Sequence, residues 1–448
     1  MRPTLGSAAV LVAVVAVAAG CGSNKSASGT KSGVAGAQKT VVNKAVSGTI
    51  TFDGIWTGSE ATDFGDVIKA FNKVYPKVKV KYNPLGNNLT TVLSTAITGG
   101  HPPDMADIAQ PGYVKQLVSQ GKLKPITYAK GAIGANFGKS WQQLGTFNGK
   151  LYALVFKASN KSLLWYNVPV FHQAGVTPPK TWKQLLRDAT TIKASGVPPY
   201  SIGGADGWTL TDLFENIYLR TFGVAKYNAL AAHKIKWTDP SVKTALLEMQ
   251  KILLQPGYLA GGTSGALQYT FNDSVTNAFS NPPKAAMVFE GDFVSGVILS
   301  STKAKPGSGF NVVPFPAITP GPDATAVEIS GDLFVTFRDN PAIEAFVKFL
   351  ATPQAAAAWA KHGGFATGNH NLSPSVFPDA IDRANQKAVG AAKAVVFDMS
   401  DEQPASFGST TGQGEWGLFQ KFLSNPADYT PIQIQLEKAA EAAYKKGK

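Results

Sequence analysis

The sequence predicts an α/β protein in which a parallel sheet is covered by helices. Three observations near the start of the folded body support this prediction: strand and helix patterns alternate, the helical patterns reach about ten residues or more, and Gly or Pro marks the short connections. The chain has 448 residues, which is more than one hydrophobic core usually holds, so two lobes are expected. Its 44% hydrophobic and 16% charged residues are typical of a folded protein.

The first five elements of the body follow from apolar spacing. Alternating apolar residues predict strands, and apolar residues three and four positions apart predict helices. The predicted order is strand Ser47 to Ile55, helix Phe64 to Val74, strand Val78 to Tyr82, helix Leu89 to Ile97 and strand Met105 to Ile108. Ligands bind beyond the carboxyl ends of such strands. The loops Trp56 to Glu60, Asn87-Asn88 and Ala109-Gln110 are therefore predicted to converge on one crevice.

The rest of the chain is predicted to repeat the strand and helix pattern and then to become mostly helical. Asn340 and Thr352, each followed by Pro, predict two helix starts. The other expected elements are strands Leu151 to Phe156 and Ser162 to Tyr166, helices Trp182 to Ile192, Asp212 to Phe222 and Ser241 to Leu254, and strands Ala285 to Phe289, Asn311 to Phe315 and Ile329 to Phe337.

Residues 1–20 predict a signal peptide, with Arg2 before an apolar run and small residues before Cys21. Ala18-Ala19-Gly20-Cys21 resembles the lipobox of bacterial lipoproteins, which implies that Cys21 is acylated and anchors the chain to a membrane. An ordinary signal peptide with a chance cysteine is the alternative. Cys21 is the only cysteine, which excludes an internal disulfide. Residues 21–45 predict a flexible tether, because Ser, Gly, Ala, Asn and Lys leave little to bury.

The net charge of +13, from 42 basic and 29 acidic residues, raises the question of an acidic partner. Lysines cluster only modestly, at Lys73 to Lys81 and at the end of the chain. A nucleic-acid binder also needs a recognisable module and a basic stripe. The sequence therefore indicates solvated surface charge and no nucleic-acid partner.

Several motifs that resemble catalytic or cofactor sites lack their context. Gly412 to Gly417 match the spacing GxGxxG, but no strand, helix and acidic residue follow in the required order. Glycoside hydrolysis needs two carboxyls that face each other across a bond, and Glu290 and Asp292 lie too close in sequence for that. The sequence predicts no enzyme, no metal and no cofactor.

Aromatic residues beside polar residues occur at four predicted loop tips. Sugar rings have apolar faces that pack on aromatic rings, and hydroxyl groups that bond to carboxylates and amides. A single Trp is more often part of a core, so only the four pairs together favour a sugar pocket. They are Trp56 with Glu60, Trp208 with Asp212, Phe293 with Glu290 and Asp292, and Trp416 with Glu415.

Several segments resemble the carbohydrate-binding family 1 of extracellular solute-binding proteins. They are Trp56-Thr57-Gly58-Ser59-Glu60, Gly99-Gly100-His101-Pro102-Pro103-Asp104, Leu164-Trp165-Tyr166-Asn167 and Thr181-Trp182. Asp206 to Asp212 and Phe397 to Asp401 further resemble the α-glucoside subgroup.

This resemblance implies a periplasmic-binding-protein-like α/β fold, with two lobes joined by hinge segments and a ligand cleft between them. The expected lobes are 46–156 with about 305–338, and 157–304 with about 339–448. The family's ligand contacts correspond to Trp56, Glu60, Asn88, Gln110, Trp208, Asp212, Glu290, Asp292, Phe293, Asp332 and Trp416.

The resemblance also implies a function. A monomeric lipoprotein on the extracytoplasmic face of the membrane captures a carbohydrate, such as a disaccharide, an oligosaccharide or an α-glucoside. It delivers this ligand to the permease subunits of an ABC importer. Lys157 and Lys161 leave an anionic ligand such as a glycerophosphodiester open. A polyamine ligand and a secreted glycoside-active enzyme also stay open at the level of sequence.

Overall fold

The computed structural model describes residues 43–321, 323–391 and 394–446. The predicted signal peptide, Cys21 and the tether up to Val42 lie outside the described residues. Among the described residues, no helix is both long and apolar enough to cross a membrane.

Eleven strands are described, and they include the strands that the alternating patterns predict. They are β1 Gly48–Gly54, β2 Val78–Pro84, β3 Met105–Ile108, β4 Thr146–Phe147, β5 Lys150–Leu151, β6 Ala153–Asn160, β7 Leu163–Asn167, β8 Met287–Phe289, β9 Phe310–Pro314, β10 Val327–Thr336 and β11 Val395–Phe397.

Helices fill most of the remaining chain. They are α1 Gly58–Val74, α2 Leu89–Thr98, α3 Pro111–Ser119, α4 Lys130–Asn136, α5 Lys139–Leu144, α6 Val168–Ala174, α7 Trp182–Ala194, α8 Trp208–Ala231, α9 Pro240–Leu253, α10 Gly262–Ala266, α11 Phe271–Phe279, α12 Val294–Ser301, α13 Pro341–Leu350, α14 Pro353–Ala360, α15 Ala380–Ala391, α16 Met399–Glu402, α17 Ala405–Gly408, α18 Gly414–Ser424 and α19 Tyr429–Lys446. Short 3-10 turns lie at Gly86–Asn88, Thr127–Ala129 and Pro374–Val376.

The predicted helix starts at Asn340 and Thr352 are confirmed. The Asn340 side chain accepts hydrogen bonds from the backbone N–H groups of Ala342 and Ile343, both at 3.0 Å. The Thr352 hydroxyl accepts one from Ala355 at 3.3 Å. Both side chains satisfy N–H groups that a helix leaves unpaired at its first turn.

The large sheet is mixed, which differs from the parallel sheet that the sequence predicts. Its strand order is β11-β10-β3-β1-β2, with β6 also paired to β10. The predicted parallel pairing holds for β1 with β2 and β3. Strand β10, however, runs antiparallel to both β3 and β6. The first three strands are joined by helical crossovers, which parallel pairing requires, whereas β10 arrives from a distant part of the chain.

Two large hydrophobic cores form around two sheets. The first core packs α1, α13 and α14 on one face of the large sheet, around Phe52, Phe64 and Phe334. The second core surrounds Phe214 and Trp237, and its sheet has the antiparallel order β8-β7-β9.

The structure differs from the predicted lobe boundaries on two segments. Strand β9 pairs with β7, so the residues just after 305 belong with the second core and not with the first lobe. Helices α13 and α14 contribute Phe346 and Trp359 to the first core, although residues after 339 were expected in the second lobe. Apolar periodicity predicts that a helix is buried, but not which sheet it covers.

Candidate functional site

A cleft lies where loops of the large sheet meet segments that pack on the second core. It holds about 770 Å³ of space, including the part open to solvent. Seven of the eleven predicted binding residues line it: Trp56, Glu60, Gln110, Trp208, Phe293, Asp332 and Trp416.

The other four predicted residues do not line this cleft. Asn88 is exposed, and its neighbour Asn87 takes the place in the wall. Asp212 is buried beneath the cleft, and Glu290 borders a separate small crevice. Asp292 is also buried, and its carboxylate accepts a 3.1 Å hydrogen bond from the backbone N–H of Asn160. These four residues therefore lie outside the wall of the cleft in this structure.

Trp208 is the most accessible of the three tryptophans in the cleft. It is half-buried and begins α8. Its ring packs against Phe271 and Phe293, with centroid separations of 5.3 and 6.0 Å. These contacts hold the indole in place while part of it faces the cleft. A fixed aromatic surface of this kind suits the apolar face of a flat, hydroxylated ring.

Trp56 and Trp416 contribute differently, because both are almost completely buried. The Trp56 indole packs on Trp359 with a centroid separation of 4.6 Å, and its Nε1 donates a 2.9 Å hydrogen bond to Asp332. Trp56 is thus a core residue of which one edge reaches the cleft.

Lys157 is the charged centre of one side of the cleft. This side chain is only 4% exposed, and its Nζ lies 2.8 Å from Glu60 and 3.8 Å from Asp332. Burial acts to lower the pKa of Lys157, but the two carboxylates outweigh it and hold the pKa above the ordinary value. Lys157 is therefore charged and already paired.

Lys161 forms a second buried ion-paired centre. Its Nζ lies 3.1 Å from Asp212 and 2.5 Å from Asp398, and 5.3 Å from the centre of the Trp208 ring. Burial acts to lower the pKa of Lys161, but the surrounding carboxylates raise it well above the ordinary value. The ammonium group thus supports Trp208 from one side and neutralises carboxylates below it.

Further buried carboxyls surround this centre. Asp212, Glu328 and Asp398 bring carboxylate oxygens within 4.8 Å of one another, a separation that suits a shared cation. The Lys161 ammonium already contacts two of the three. Burial, followed by the charge of Asp212, raises the pKa of Glu290 well above the ordinary value.

Three hydrogen bonds cross the cleft between the large sheet's loops and the second core's segments. The Asn87 side chain donates to Asp206 at 2.9 Å, and the Thr411 hydroxyl donates to the Asn87 carbonyl at 2.8 Å. The Gln110 side chain donates to Asp401 at 3.0 Å. The structure is therefore a closed arrangement of the two sides.

Sequence reasoning missed several lining residues. Ser159 and Ser330 lie within β6 and β10, whereas the predicted site consists of loops that follow strands. Phe271, at the start of α11, also lines the cleft. The sequence around it does not indicate a binding role, because nothing there distinguishes Phe271 from a core residue. Lys157 and Lys161 stand out in the sequence for their charge, but no local pattern indicates that both are paired.

The sequence matches the model of one protein family over residues 57–357, the family described as bacterial extracellular solute-binding protein. Two curated relatives cover most of the chain. The α-glucosides-binding periplasmic protein AglE of Rhizobium meliloti is 30% identical over 81% of both chains. The osmoprotective compounds-binding protein GgtB of Synechocystis is 26% identical over 87% of this chain and 92% of that protein.

Solved structures share the fold. The bacterial solute receptor AcbH, described as preferring β-D-galactopyranose, superimposes with a TM-score of 0.76 and 22% identity, and the match covers 89% of this chain and 99% of that one. The solute-binding protein RafE, solved with raffinose, gives a TM-score of 0.72 and 18% identity, covering 89% and 100%. These likenesses confirm the predicted fold class.

Proposed function

The chain belongs to the bacterial extracellular solute-binding proteins, and on that premise we propose that it captures a neutral carbohydrate in the cleft. The carbohydrate is a disaccharide or short oligosaccharide, which the protein releases unchanged to the permease subunits of an ABC importer. The observation that carries the proposal is the combination of the fixed Trp208 surface with two lysines whose charges are already neutralised.

Charge balance argues against the two ionic ligands. A phosphodiester needs an unpaired cation, but Lys157 and Lys161 each contact two carboxylates. A polyamine needs unpaired carboxylates in the wall, but Glu60, Asp332 and Asp401 all have hydrogen-bond donors. A buried ion pair loses several kcal/mol when one partner is withdrawn, so an ionic ligand has to compete with these pairs.

The polar groups that remain suit hydroxyl groups. Ser159, Ser330 and Ser400 line the cleft, and each can donate one hydrogen bond and accept others. Sugar hydroxyls both donate and accept, so they match serines better than charged groups do. We assign the α-glucosides as the first ligands to test, because AglE, a relative with 30% identity, is named for binding them.

The same geometry argues against glycoside hydrolysis. A glycosidase needs one carboxylic acid and one carboxylate on opposite sides of the scissile bond. Glu290 and Asp292, the pair considered from the sequence, do not line the cleft. Glu60 is held by Lys157, so it is not placed as an acid that gives up a proton.

Capture of the ligand depends on closure of the two sides of the cleft. The cross-cleft bonds of Asn87 and Gln110 form only when the two sides are close, and a ligand between them adds contacts to both sides. A ligand that binds the closed state more tightly than the open state shifts the population towards it. The closed protein is then the form that the permease recognises.

The location of the protein is part of the proposal. Acylation of Cys21 after removal of residues 1–20 anchors a monomer on the extracytoplasmic face of the membrane. The lipobox-like Ala18-Ala19-Gly20-Cys21 supports this assignment. Mass spectrometry of the membrane-bound protein tests this assignment. Removal of residues 1–20 together with acylation leaves a lipid-modified Cys21 as the first residue.

A thermal-shift screen tests the function. The protein is unfolded and refolded to remove bound ligand, and is then heated with monosaccharides, α-glucosides, other oligosaccharides, glycerophosphodiesters and polyamines. A ligand at a hundredfold its Kd adds about 2.7 kcal/mol of stability. A shift with one sugar class, with the sugar recovered intact, supports the proposal. A shift only with a phosphodiester or a polyamine contradicts the sugar assignment, and conversion of a sugar to products contradicts the binding-protein mechanism.

A further inference from the structure

A row of lysines lies on the outer strand of the large sheet. Lys77, Lys79 and Lys81 are all exposed; Lys79 and Lys81 alternate with Val78, Val80 and Tyr82 along β2, and Lys77 lies in the turn just before the strand. Successive side chains of a strand point to opposite faces, so Lys79 and Lys81 share one face of β2 and follow each other at roughly 7 Å. Strand β2 is the last strand in the order of the sheet, so nothing pairs with its outer edge in the described part of the chain.

The charge of this row is not balanced by its neighbours. In the register of the sheet, Lys79 lies beside Thr49 and Lys81 beside Thr51, both neutral. The backbone N–H and the hydroxyl of Thr51 both donate to Asp104, and that carboxylate also pairs with Arg338 at 3.5 Å. On the next position of β1, Asp53 accepts a hydrogen bond from Asn83 and is partly buried.

The chain enters the folded body beside this row. The backbone N–H of Gly48 donates a 3.3 Å hydrogen bond to the carbonyl of Lys77. Asp53 is the first acidic residue of the sequence. The stretch from Cys21 to Asp53 carries four lysines, Lys25, Lys31, Lys39 and Lys44. The described part of the chain therefore enters the sheet beside Lys77.

We propose that Lys77, Lys79 and Lys81, together with Lys44, form a docking surface for the anionic lipid headgroups of the membrane that carries the anchor. This inference rests on the proposed acylation of Cys21. In the sequence, 21 residues, Gly22 to Val42, separate Cys21 from the described residues, and a flexible chain of that length has a root-mean-square span of roughly 25 Å. A basic cluster next to a lipid anchor gains binding energy from each lysine near an anionic surface.

Protection of the sheet edge is the simpler explanation for lysines on an outer strand, since charged side chains discourage pairing with another chain. It does not account for the absence of acidic residues before Asp53, or for the entry of the chain beside Lys77. Docking also leaves the cleft usable. Gly86 and Asn87, which line it, come from the loop after β2 and not from the row.

Energy transfer between the protein and lipid tests the proposal. Ser47 is exposed and close to the row, and Ser47→Cys supplies the only free thiol for a donor dye once Cys21 is acylated. The dye-labelled protein with its acylated Cys21 is placed on two kinds of vesicle. One contains phosphatidylcholine alone and the other phosphatidylcholine with phosphatidylglycerol, and both contain an acceptor lipid. Transfer is measured in about 0.1 M and about 1 M NaCl, where the Debye length falls from roughly 10 Å to 3 Å.

The charge-reversed variant carries K77E, K79E and K81E. Its matched control carries K180E, K183E and K284E, which change the net charge equally at three other exposed lysines. We expect more transfer on the anionic vesicles than on the neutral ones, and loss of the difference at high salt. At about fivefold per lysine near an anionic surface, the row variant loses roughly a hundredfold in the ratio of docked to undocked protein, and the control loses less than twofold.

Equal transfer on both vesicle types overturns the docking surface, and so does an equal loss in the two triple variants. Retention on an anionic wall polymer without increased transfer on anionic vesicles overturns the lipid assignment. Failure of the protein to float with neutral vesicles means that the Cys21 anchor is wrong. In that case, the fraction of protein that floats with anionic vesicles at low salt is compared between the two triple variants. A lower fraction for the row variant than for the control variant still supports the docking role of the row.

Discussion

Gly112 lies so close to the backbone of Gln403 that a Cβ at position 112 would overlap the Gln403 carbonyl oxygen. Gly112 is in the first turn of α3, which follows a strand of the large sheet, and Gln403 follows α16, which packs on the second core. The two sides of the cleft thus approach each other at a position where only glycine fits.

Gly112→Ala is expected to weaken ligand binding by at least about tenfold, which corresponds to about 1.4 kcal/mol. The added methyl group meets backbone atoms of Glu402 and Gln403, which cannot move aside as a side chain can, so the sides are held apart. Calorimetry with the ligand from the screen measures the change. Gly131→Ala is the control, because a Cβ there meets nothing within 4 Å. Unchanged affinity in Gly112→Ala means that the cleft does not close through this contact.

Trp208→Ala is expected to reduce carbohydrate affinity by about 2 kcal/mol, roughly thirtyfold, as truncation of a central aromatic contact does. Trp208→Phe keeps an aromatic face and is expected to lose less. Both variants keep the buried residues of α8 that hold the fold together. Affinity measured by calorimetry and unfolding measured with urea separate lost contact from lost structure. If Trp208→Ala binds as tightly as the unaltered protein, the ligand site lies elsewhere.

Lys157→Met is expected to destabilise the protein by roughly 3 kcal/mol, because it leaves the buried Asp332 and the partly exposed Glu60 without their cation. Glu60 and Asp332 both contact Lys157 in the structure. Lys180→Met, at an exposed lysine, is expected to change stability by less than about 0.5 kcal/mol. Urea unfolding measures both. If Lys157→Met changes the free energy of unfolding as little as Lys180→Met does, the ion pairs of Lys157 contribute little to stability.

The free energy of unfolding is expected to fall as the pH rises from about 4 to about 7. Burial raises the pKa of Asp292 from 3.8 to about 7, although the Asn160 N–H and Lys157 act to lower it. The folded protein therefore holds a proton that the unfolded chain releases near pH 4, and each unit of pH above that point favours unfolding. Asp212 and Glu402, with pKa values also raised to about 7, act in the same direction.

Asp292→Asn tests this pH dependence, because it removes one of the titrating groups while keeping a similar shape. Urea unfolding at pH 5, 6, 7 and 8 is expected to give a shallower decline of stability for the variant than for the unaltered protein. An identical slope in both proteins excludes Asp292 as a source of the decline.

Much of the fold could be predicted because its signals are local. The apolar spacing of Phe64 to Val74 identifies α1 and its last residue, although the helix begins earlier, at Gly58, and the capping residues Asn340 and Thr352 identify the starts of α13 and α14. The parallel order of β1, β2 and β3 follows from the helices between them. The antiparallel course of β10 and the placement of α13 and α14 could not be predicted, because both depend on contacts between distant parts of the chain.

The candidate site shows the same limit. Asn87 and Asn88 differ by one position, and the 3-10 turn Gly86–Asn88 places Asn87 in the wall while Asn88 is exposed. Phe293 lines the cleft, whereas Glu290 and Asp292 on the same turn are buried away from it. A motif identifies a loop, but the direction of each side chain depends on what packs around that loop.

The sequence by itself determined the α/β class and most element positions. It also predicts the acylation of Cys21 and provides aromatic and polar residues suited to sugars. Each of these is a property of neighbouring residues. Only the tertiary structure decided which of these residues meet. Trp56 bonds to Asp332 across 276 positions, and Lys161 joins Asp212 to Asp398. Such pairs form because two sheets bring distant strands together and because burial forces each charge to find a partner, and neither condition is visible in a local stretch of sequence.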